Sequence, residues 1–367
     1  MSIVVLPGRK ETILRFAVLI FFMLYLAPQL IFSASIDPLL QKYNLKIEEV
    51  APIVLKVGTL APPGTPWINY IHDRVVPMFN AEMRGRIKFE IYPGGVMGND
   101  TDVLRKMSLR QLQGCGCTAL GILGTAPEAG IFVLPMLFNN YEEVDYILSK
   151  FRPDIEAMFE KRGYYITGLI DSGFFYMFSK KRIEKIDDMK KQKMLTWFGT
   201  IEAETLNLLG INPVNISLQE SVMAFQTGII NANIAPPTWQ LGTQAYTETN
   251  FYIAQPLFYS VAAVLYDKAQ IESISSRYPG GFGRDIVRLA IDLTKKLEPE
   301  WKRELREFEK KSLMVFEKRG MQSVQLSPED VEKMREVARE VCMNLGDRLY
   351  SKELLERILN ELNKFRK

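Results

Sequence analysis

The chain is poor in the groups that do covalent chemistry. It has one histidine, His72, among 367 residues, so His-based metal sites and Ser-His or Cys-His pairs find no ready members. Of its three cysteines, two form the run Cys115-Gly116-Cys117. Residues two apart on one strand give poor disulfide geometry, and no CxxC or histidine partner accompanies them. They read as small, buried strand residues, and the odd count leaves at least one thiol free or paired between chains. No nucleophile–base pair and no metal-ligand cluster stand out, so no cofactor is expected and the chain reads as a non-enzyme. The residues that can instead recognise a molecule gather in Lys190–Phe198 (KKQKMLTWF). A short strand there puts Lys193, Leu195 and Trp197 on one face, where either a cation or apolar surface could meet a ligand.

The surrounding elements follow an α/β pattern. Ile53–Gly58 is a β-branched run of strand length, followed by a loop of breakers from Leu60 to Trp67. Ile68–Met83 has helical spacing, with Ile71, Val75, Met78 and Phe79 on one side. Arg86–Tyr92 alternates like a half-buried strand, Asp100–Leu112 is a helix capped by Asn99 or Asp100, and Cys115–Leu123 reads as a buried central strand. A helix is expected from Tyr141 to about Arg162. Tyr164–Ile170 and the apolar Phe174–Ser179 are expected as strands around a turn at Asp171-Ser172-Gly173. The pattern then restarts, with a helix from Ile201, extended Pro213–Ile216, a helix Gln219–Gln226 and a late strand Tyr259–Tyr266. From Arg284 the chain is charged and helical, with breaks expected near Pro299, near Gly320 and before Ser327, whose spacing to Asp330 is that of a capping start. This order implies sheets covered by helices.

Composition sets outer bounds. Apolar residues make up 47% and charged residues 24% of the chain, and 46 Lys and Arg against 43 Asp and Glu leave a net charge of +3. That is ordinary for a globular protein with room for two domains, and no basic block interleaved with aromatics supports nucleic-acid binding. Arg9, Lys10 and Arg15 precede the apolar run Phe16–Pro28, with small residues at Ser33-Ala34-Ser35. Residues 1–34 are therefore expected to be a secretory signal peptide or an uncleaved membrane anchor, with a buried core helix as the third reading. Residues 35–52 read as a loosely packed linker.

Several segments in register resemble one family. They are Lys56–Pro62 with Trp67, Ile91–Gly98, Val133–Phe138, Ile186–Lys193, Gly210–Val214 and Ala224–Ala232. Together the sequence resembles the solute-binding subunit of tripartite ATP-independent periplasmic (TRAP) transporters, from about Ile53 to Tyr266 and more weakly to the C-terminus. The resemblance implies a two-lobed, type II periplasmic-binding-protein-like α/β fold with a hinge and a helical C-terminus. Residues 53–172 plus 259–297 would form lobe I, and 173–258 plus 298–367 lobe II. It also implies a periplasmic protein that captures a small-molecule solute and delivers it to the permease subunits in the membrane.

The departures from the family's usual pattern bear on the ligand. An Arg that clamps the ligand carboxylate falls on Leu195, a second basic residue falls on Phe175, and the Glu and Asn of a later motif fall on Ile234 and Ala235. A carboxylate enclosed in a dry cleft costs several kcal/mol without a cation or donors, whereas covering apolar surface gains roughly 25 cal/mol per Å². The expected ligand is accordingly hydrophobic or weakly polar, with Trp67, Phe175, Leu195, Trp197, Asn233, Ala235, Pro236 and Trp239 as candidate binding residues. Phe175 competes with plain core packing, and a one-residue slip would turn Thr196 rather than Leu195 to the cleft. This departure, with Lys191-Gln192-Lys193 and Ala235-Pro236-Pro237, resembles a branch whose transporters include a periplasmic tetratricopeptide-repeat protein as a further partner. Two rival readings stand beside it: ordinary carboxylate uptake with Lys193 as the cation, and a membrane-tethered interaction protein without ligand.

Overall fold

A computed structural model describes residues 35–195, 199–211 and 213–367. The signal or anchor expected over 1–34 and the candidate Trp197 lie outside the described residues. No helix among the described residues is long and apolar enough to cross a membrane.

Two α/β lobes share one sheet whose strands run β2-β1-β3-β9-β4-β7-β5-β6. Lobe I holds β1 (Ile53–Thr59), β2 (Ile87–Tyr92), β3 (Gly114–Cys117) and, antiparallel to β3, β9 (Phe258–Asp267). Lobe II holds β5 (Met194–Leu195), β6 (Pro213–Val214), β7 (Ala232–Ala235), β8 (Phe251–Ile253) and β10 (Gln322–Val324). The sixteen-residue β4 (Tyr164–Ser179) belongs to both: it pairs with β9 from Tyr164 to Phe175, then with β7 and β8. The expected turn at Asp171-Ser172-Gly173 is instead a register shift within this strand. Its polar residues do not end the strand because partners beyond the sheet take up their bonding groups.

Those partners come from a 37-residue helix, Phe282–Lys318, which runs through Pro299 without the expected break. Its buried face carries Glu298, Trp301, Leu305, Glu309, Ser312 and Phe316, three- and four-residue steps that keep one stripe against β4. Packing along that stripe offsets the hydrogen bond that Pro299 cannot donate. At the first register shift, between Ile166 and Gly168, the Leu169 N–H donates to Glu298 Oε1 at 2.9 Å, and Arg152 holds Glu298 by two bonds of 2.7 and 3.0 Å. At the second, Arg306 Nε donates to Asp171 Oδ2 at 2.7 Å while its other nitrogens grip Asp145 at 2.6 Å. Tyr259 Oη donates to Asp171 Oδ1 at 2.6 Å, and Tyr141 Oη is hydrogen-bonded to Glu309.

Other expectations are corrected locally. Cys115–Leu123 is a strand only as far as Cys117, and Ala119–Thr125 is a helix capped by Thr118. The helix expected over 141–162 is two, Tyr141–Lys150 and Arg152–Lys161, the second opening with Pro at its N-terminal turn. The linker expected over 35–52 contains a helix, Asp37–Tyr43, docked on lobe I: Ile36, Leu40 and Val50 are buried, and Lys42 and Tyr43 bond Asp285 at 2.6 and 2.8 Å. The C-terminal helix, Lys352–Phe365, packs not with lobe II but on the lobe I helices. Arg366 bonds Glu143, Arg357 bonds Asp154, and Phe365 stacks on Tyr146. Cys115 and Cys117 form a disulfide with Cα atoms 5.2 Å apart, a separation within bridging range, which corrects their reading as independent strand residues. Burial pushes the third thiol, Cys342, up to about 12, far from the thiolate form.

Two consequences of the β4 crossing can be measured. Gly173 has φ +109°, and a methyl group there would meet Glu309 Oε2 at 2.5 Å. Gly173→Ala is expected to cost about 2–4 kcal/mol in chemical denaturation, and an unchanged midpoint would contradict the tight fit. Burial pushes the Glu309 carboxyl up to about 8, the Tyr141 hydrogen bond opposing and the charge of Asp171 adding to the rise. An unfolded glutamate titrates near about 4.3, so between these values the folded chain holds a proton that the unfolded chain has released. Stability contributed by the protonated group is complete below the lower value and is lost as pH rises through the upper one. Glu309→Gln, permanently neutral, should flatten the fall in melting temperature between pH 5 and pH 9. Parallel curves for the two proteins would rule this out.

Candidate ligand-binding site

Between the lobes and reaching into lobe I lies a cavity of about 960 Å³ including its open mouth. Its interlobe end is lined by Trp67 at the end of the β1 loop and by Pro236 and Trp239 at the start of the lobe II helix Pro237–Gly242. Thr65, whose hydroxyl donates to the Pro62 carbonyl at 2.6 Å, precedes the short helix Pro66–Tyr70 with Pro at its first turn, a favoured start, and this places Trp67 beyond the C-terminal end of a sheet strand, where α/β clefts bind ligands. Trp67 Nε1 donates to the carbonyl of Asp171 at 2.9 Å, so the same residue that anchors the β4 crossing orients the indole. The lobes touch beside the mouth. A methyl group at Gly242 would meet Thr65 Cγ2 at 2.6 Å, and one at Gly95 would meet Gln219 Nε2 at 2.8 Å.

The walls are apolar. Among the described residues that line the cavity none is charged, and most of its hydroxyls are turned into the protein. Thr59 Oγ1 donates to the Gly116 carbonyl at 2.8 Å, Thr167 Oγ1 to Val264 at 3.3 Å and Thr294 Oγ1 to Ala290 at 3.1 Å, while Thr118 Oγ1 bonds Asp100. These threonines therefore offer the cavity their methyl groups. The indole of Trp301 also lines it, donating to the Pro66 carbonyl at 3.1 Å and stacked on Tyr70 with ring centres 5.2 Å apart. Ser172 and Tyr266 carry the remaining hydroxyls on the lining.

Behind the wall formed by Gly116, Cys117 and Thr118 sits Asp100, fully buried. Its Oδ2 accepts the Thr118 and Gly121 N–H groups at 3.0 and 3.1 Å, holding the first turn of the helix Ala119–Thr125. Burial raises its carboxyl above the ordinary range, and these hydrogen bonds oppose the rise. Asp100, Cys115 and Cys117 lie close enough together to hold a metal ion, but the two sulfurs are bonded to each other and so offer no thiolates.

The sequence candidates divide between the cavity and the core. Trp67, Pro236 and Trp239 line the cavity. Phe175, Leu195, Asn233 and Ala235 do not: they are buried in the sheet around the crossing, Phe175 opposite Phe258, Ala235 opposite Tyr176, and Leu195 opposite Asn233. Asn233 Oδ1 accepts from Gln240 Nε2 at 2.7 Å, a pairing within lobe II. Lys193 is exposed, with its Nζ 3.4 Å from the Gly228 carbonyl, and it lies outside the cavity. His72 is exposed on the surface. The lining residues that sequence reasoning missed, among them Ile68, Phe89, Val264 and Thr294, have the spacing and chemistry of ordinary core, so no local signal separates them from it. Ile71 and Val75, read as the inner face of a helix, do face inward and line the cavity.

Comparison with known proteins agrees with this architecture. The chain is similar to a sugar acid binding protein from Advenella mimigardefordensis in complex with galactonate, with a TM-score of 0.77, 17% identity and coverage of 86% of this chain and 99% of that one. It is also similar to a TRAP periplasmic solute binding protein from Citrobacter koseri with bound D-glucuronate, with a TM-score of 0.75 at 18% identity over 84% and 99% of the two chains. Among curated relatives, the uncharacterized protein YiiZ of Salmonella typhimurium is 28% identical over 153 residues, 40% of this chain and 46% of that protein. The chain thus spans about half the length of that relative. A solute-binding protein of Albidiferax ferrireducens is 23% identical over 306 residues, 78% of this chain and 85% of that one. Residues 57–348 match the family described as bacterial extracellular solute-binding protein, family 7. The chain belongs to that family, DctP.

Proposed function

We propose that the protein is the extracytoplasmic receptor of a TRAP-type transporter and that its solute is hydrophobic or weakly polar. The observation that carries this reading is the cavity lining, which is without charge among the described residues and has its threonine hydroxyls bonded back into the chain. A carboxylate drawn wholly inside such a site would leave water without finding a cation, whereas apolar surface gains from every contact and a monoacid's carboxylate stays in water at the mouth. The solved relatives with galactonate and D-glucuronate represent the rival ligand class. Its basis here would be Lys193, which stands outside the cavity.

The receptor works by closure of two lobes hinged at the β4 crossing. A solute held between Trp67 on one side and Pro236 and Trp239 on the other interacts better with the closed arrangement and so shifts the population toward it. The closed form delivers the solute to the permease subunits in the membrane, with a periplasmic tetratricopeptide-repeat protein as a further partner. The chain carries out no covalent step, and its place of work is the periplasm.

Calorimetric titration separates the readings. Octanoate and phenylacetate are expected to bind, succinate to give no heat of binding, and Lys193→Ala to leave both results unchanged. Trp67→Ala should weaken octanoate binding by at least about tenfold, the order expected for losing a buried aromatic contact. Tight succinate binding that vanishes in Lys193→Ala would overturn the proposal in favour of carboxylate uptake.

A further inference from the structure

The cavity does not end within the cleft. A second apolar space, about 550 Å³ including the open space that adjoins it, lies in lobe I under the sheet and against the helices Val76–Glu82, Lys268–Ser275 and Phe282–Lys318. Phe89, Thr167, Tyr266 and Thr294 line both spaces and so form the neck between them. At this neck the hydroxyls of Thr167 and Thr294 are bonded to backbone carbonyls, and the ring of Phe89 is held edge-on by Phe79 at 5.0 Å between centres. The inner space is further lined by Ile53, Leu55, Ile271, Ile286, Val287 and Ala290, and no charged residue is among those described on its lining.

Protein interiors are close-packed, and voids are few because the contacts they forfeit are destabilising. Larger side chains at Thr167, Ala290 or Thr294 would narrow this one. An apolar lining of this kind favours apolar ligand surface. We infer that the two spaces form one continuous tunnel, and that the solute is a single-chain amphiphile with an unbranched hydrocarbon tail of the fatty-acid class. Its polar head stays at the Trp67–Trp239 mouth and its tail passes the neck into lobe I. This rests on the hydrophobic-solute reading and narrows it. On this reading a tail threading past Phe89, Thr167, Tyr266 and Thr294 is a single unbranched chain, and no charged group among those described on the inner lining would meet a polar head.

Calorimetry of the purified full chain with octanoate, dodecanoate and hexadecanoate tests the tunnel. Each added methylene buried should tighten binding by about fourfold, and the climb should continue past the length that the outer space alone can hold. Ala290→Trp, which projects a large ring into the inner space, should leave octanoate binding unchanged and bring hexadecanoate back toward the dodecanoate or octanoate value. Should that variant fail to fold, Thr294→Leu at the neck reads the same loss. Octanoate binding with no gain for longer chains, or hexadecanoate binding indifferent to both substitutions, would overturn the tunnel while leaving the hydrophobic cleft standing. Failure of every chain length to bind, with succinate bound instead, would overturn the reading on which the tunnel rests.

Discussion

The anchoring of β4 where it passes from one lobe to the other is the constraint on which the rest of the structure depends. Asp171 receives Arg306 and Tyr259 on its carboxylate and Trp67 on its carbonyl, so one residue ties the crossing to the long helix, to the neighbouring strand and to the cavity wall. A buried carboxylate is costly unless charge and hydrogen bonds compensate it, and this one is met from both lone-pair sides. Glu309, three helical turns from Glu298 on the same stripe, meets the same crossing at Gly173. The long helix therefore acts as a strut that registers both irregular points of the strand, and the hinge is a fixed axis with a small, defined set of partners.

The apolar character of the cleft follows from what that axis leaves available. Polar groups near the crossing are spent on holding it, and the sheet positions beside it are filled by Phe175, Leu195 and Ala235, which pack against their neighbours. The open volume lies instead beside Trp67 and Trp239 and in the interior of lobe I. Among the described residues of the lining none is charged, so in the reading proposed above affinity comes from buried area.

Much of this was legible in the sequence, and the failures have specific physical causes. The α/β order, the strand Tyr259–Tyr266 and the capping of Ser327 by Asp330 were readable because they depend on local patterns, and Asp330 N–H does donate to Ser327 Oγ at 3.1 Å. Trp67 and Trp239, each after a Pro-rich turn, and Pro236 in the second of those turns, were readable as candidates, and all three line the cavity. The single strand through Asp171-Ser172-Gly173 was not, since its continuity depends on Arg306 and Glu309 far along the chain. The same helix read as a charged, broken surface segment because nothing local marks Glu298 and Glu309 as buried. Phe175 and Leu195 illustrate the converse: where an apolar residue stands in place of a family's polar one, it can pack into the core instead of lining the cavity. The Cys115–Cys117 pairing was dismissed on average strand geometry, whereas the local backbone brings the two Cα atoms to 5.2 Å.

The central claim, that this receptor encloses an apolar solute in a cleft framed by Trp67, Pro236 and Trp239, is open to one direct measurement. Native mass spectrometry of the protein as purified, followed by extraction and identification of whatever it carries, reads the solute without any choice of test compounds. The account predicts one equivalent of an apolar or amphiphilic compound, recovered into organic solvent. Recovery of a sugar acid or a short dicarboxylate would contradict it.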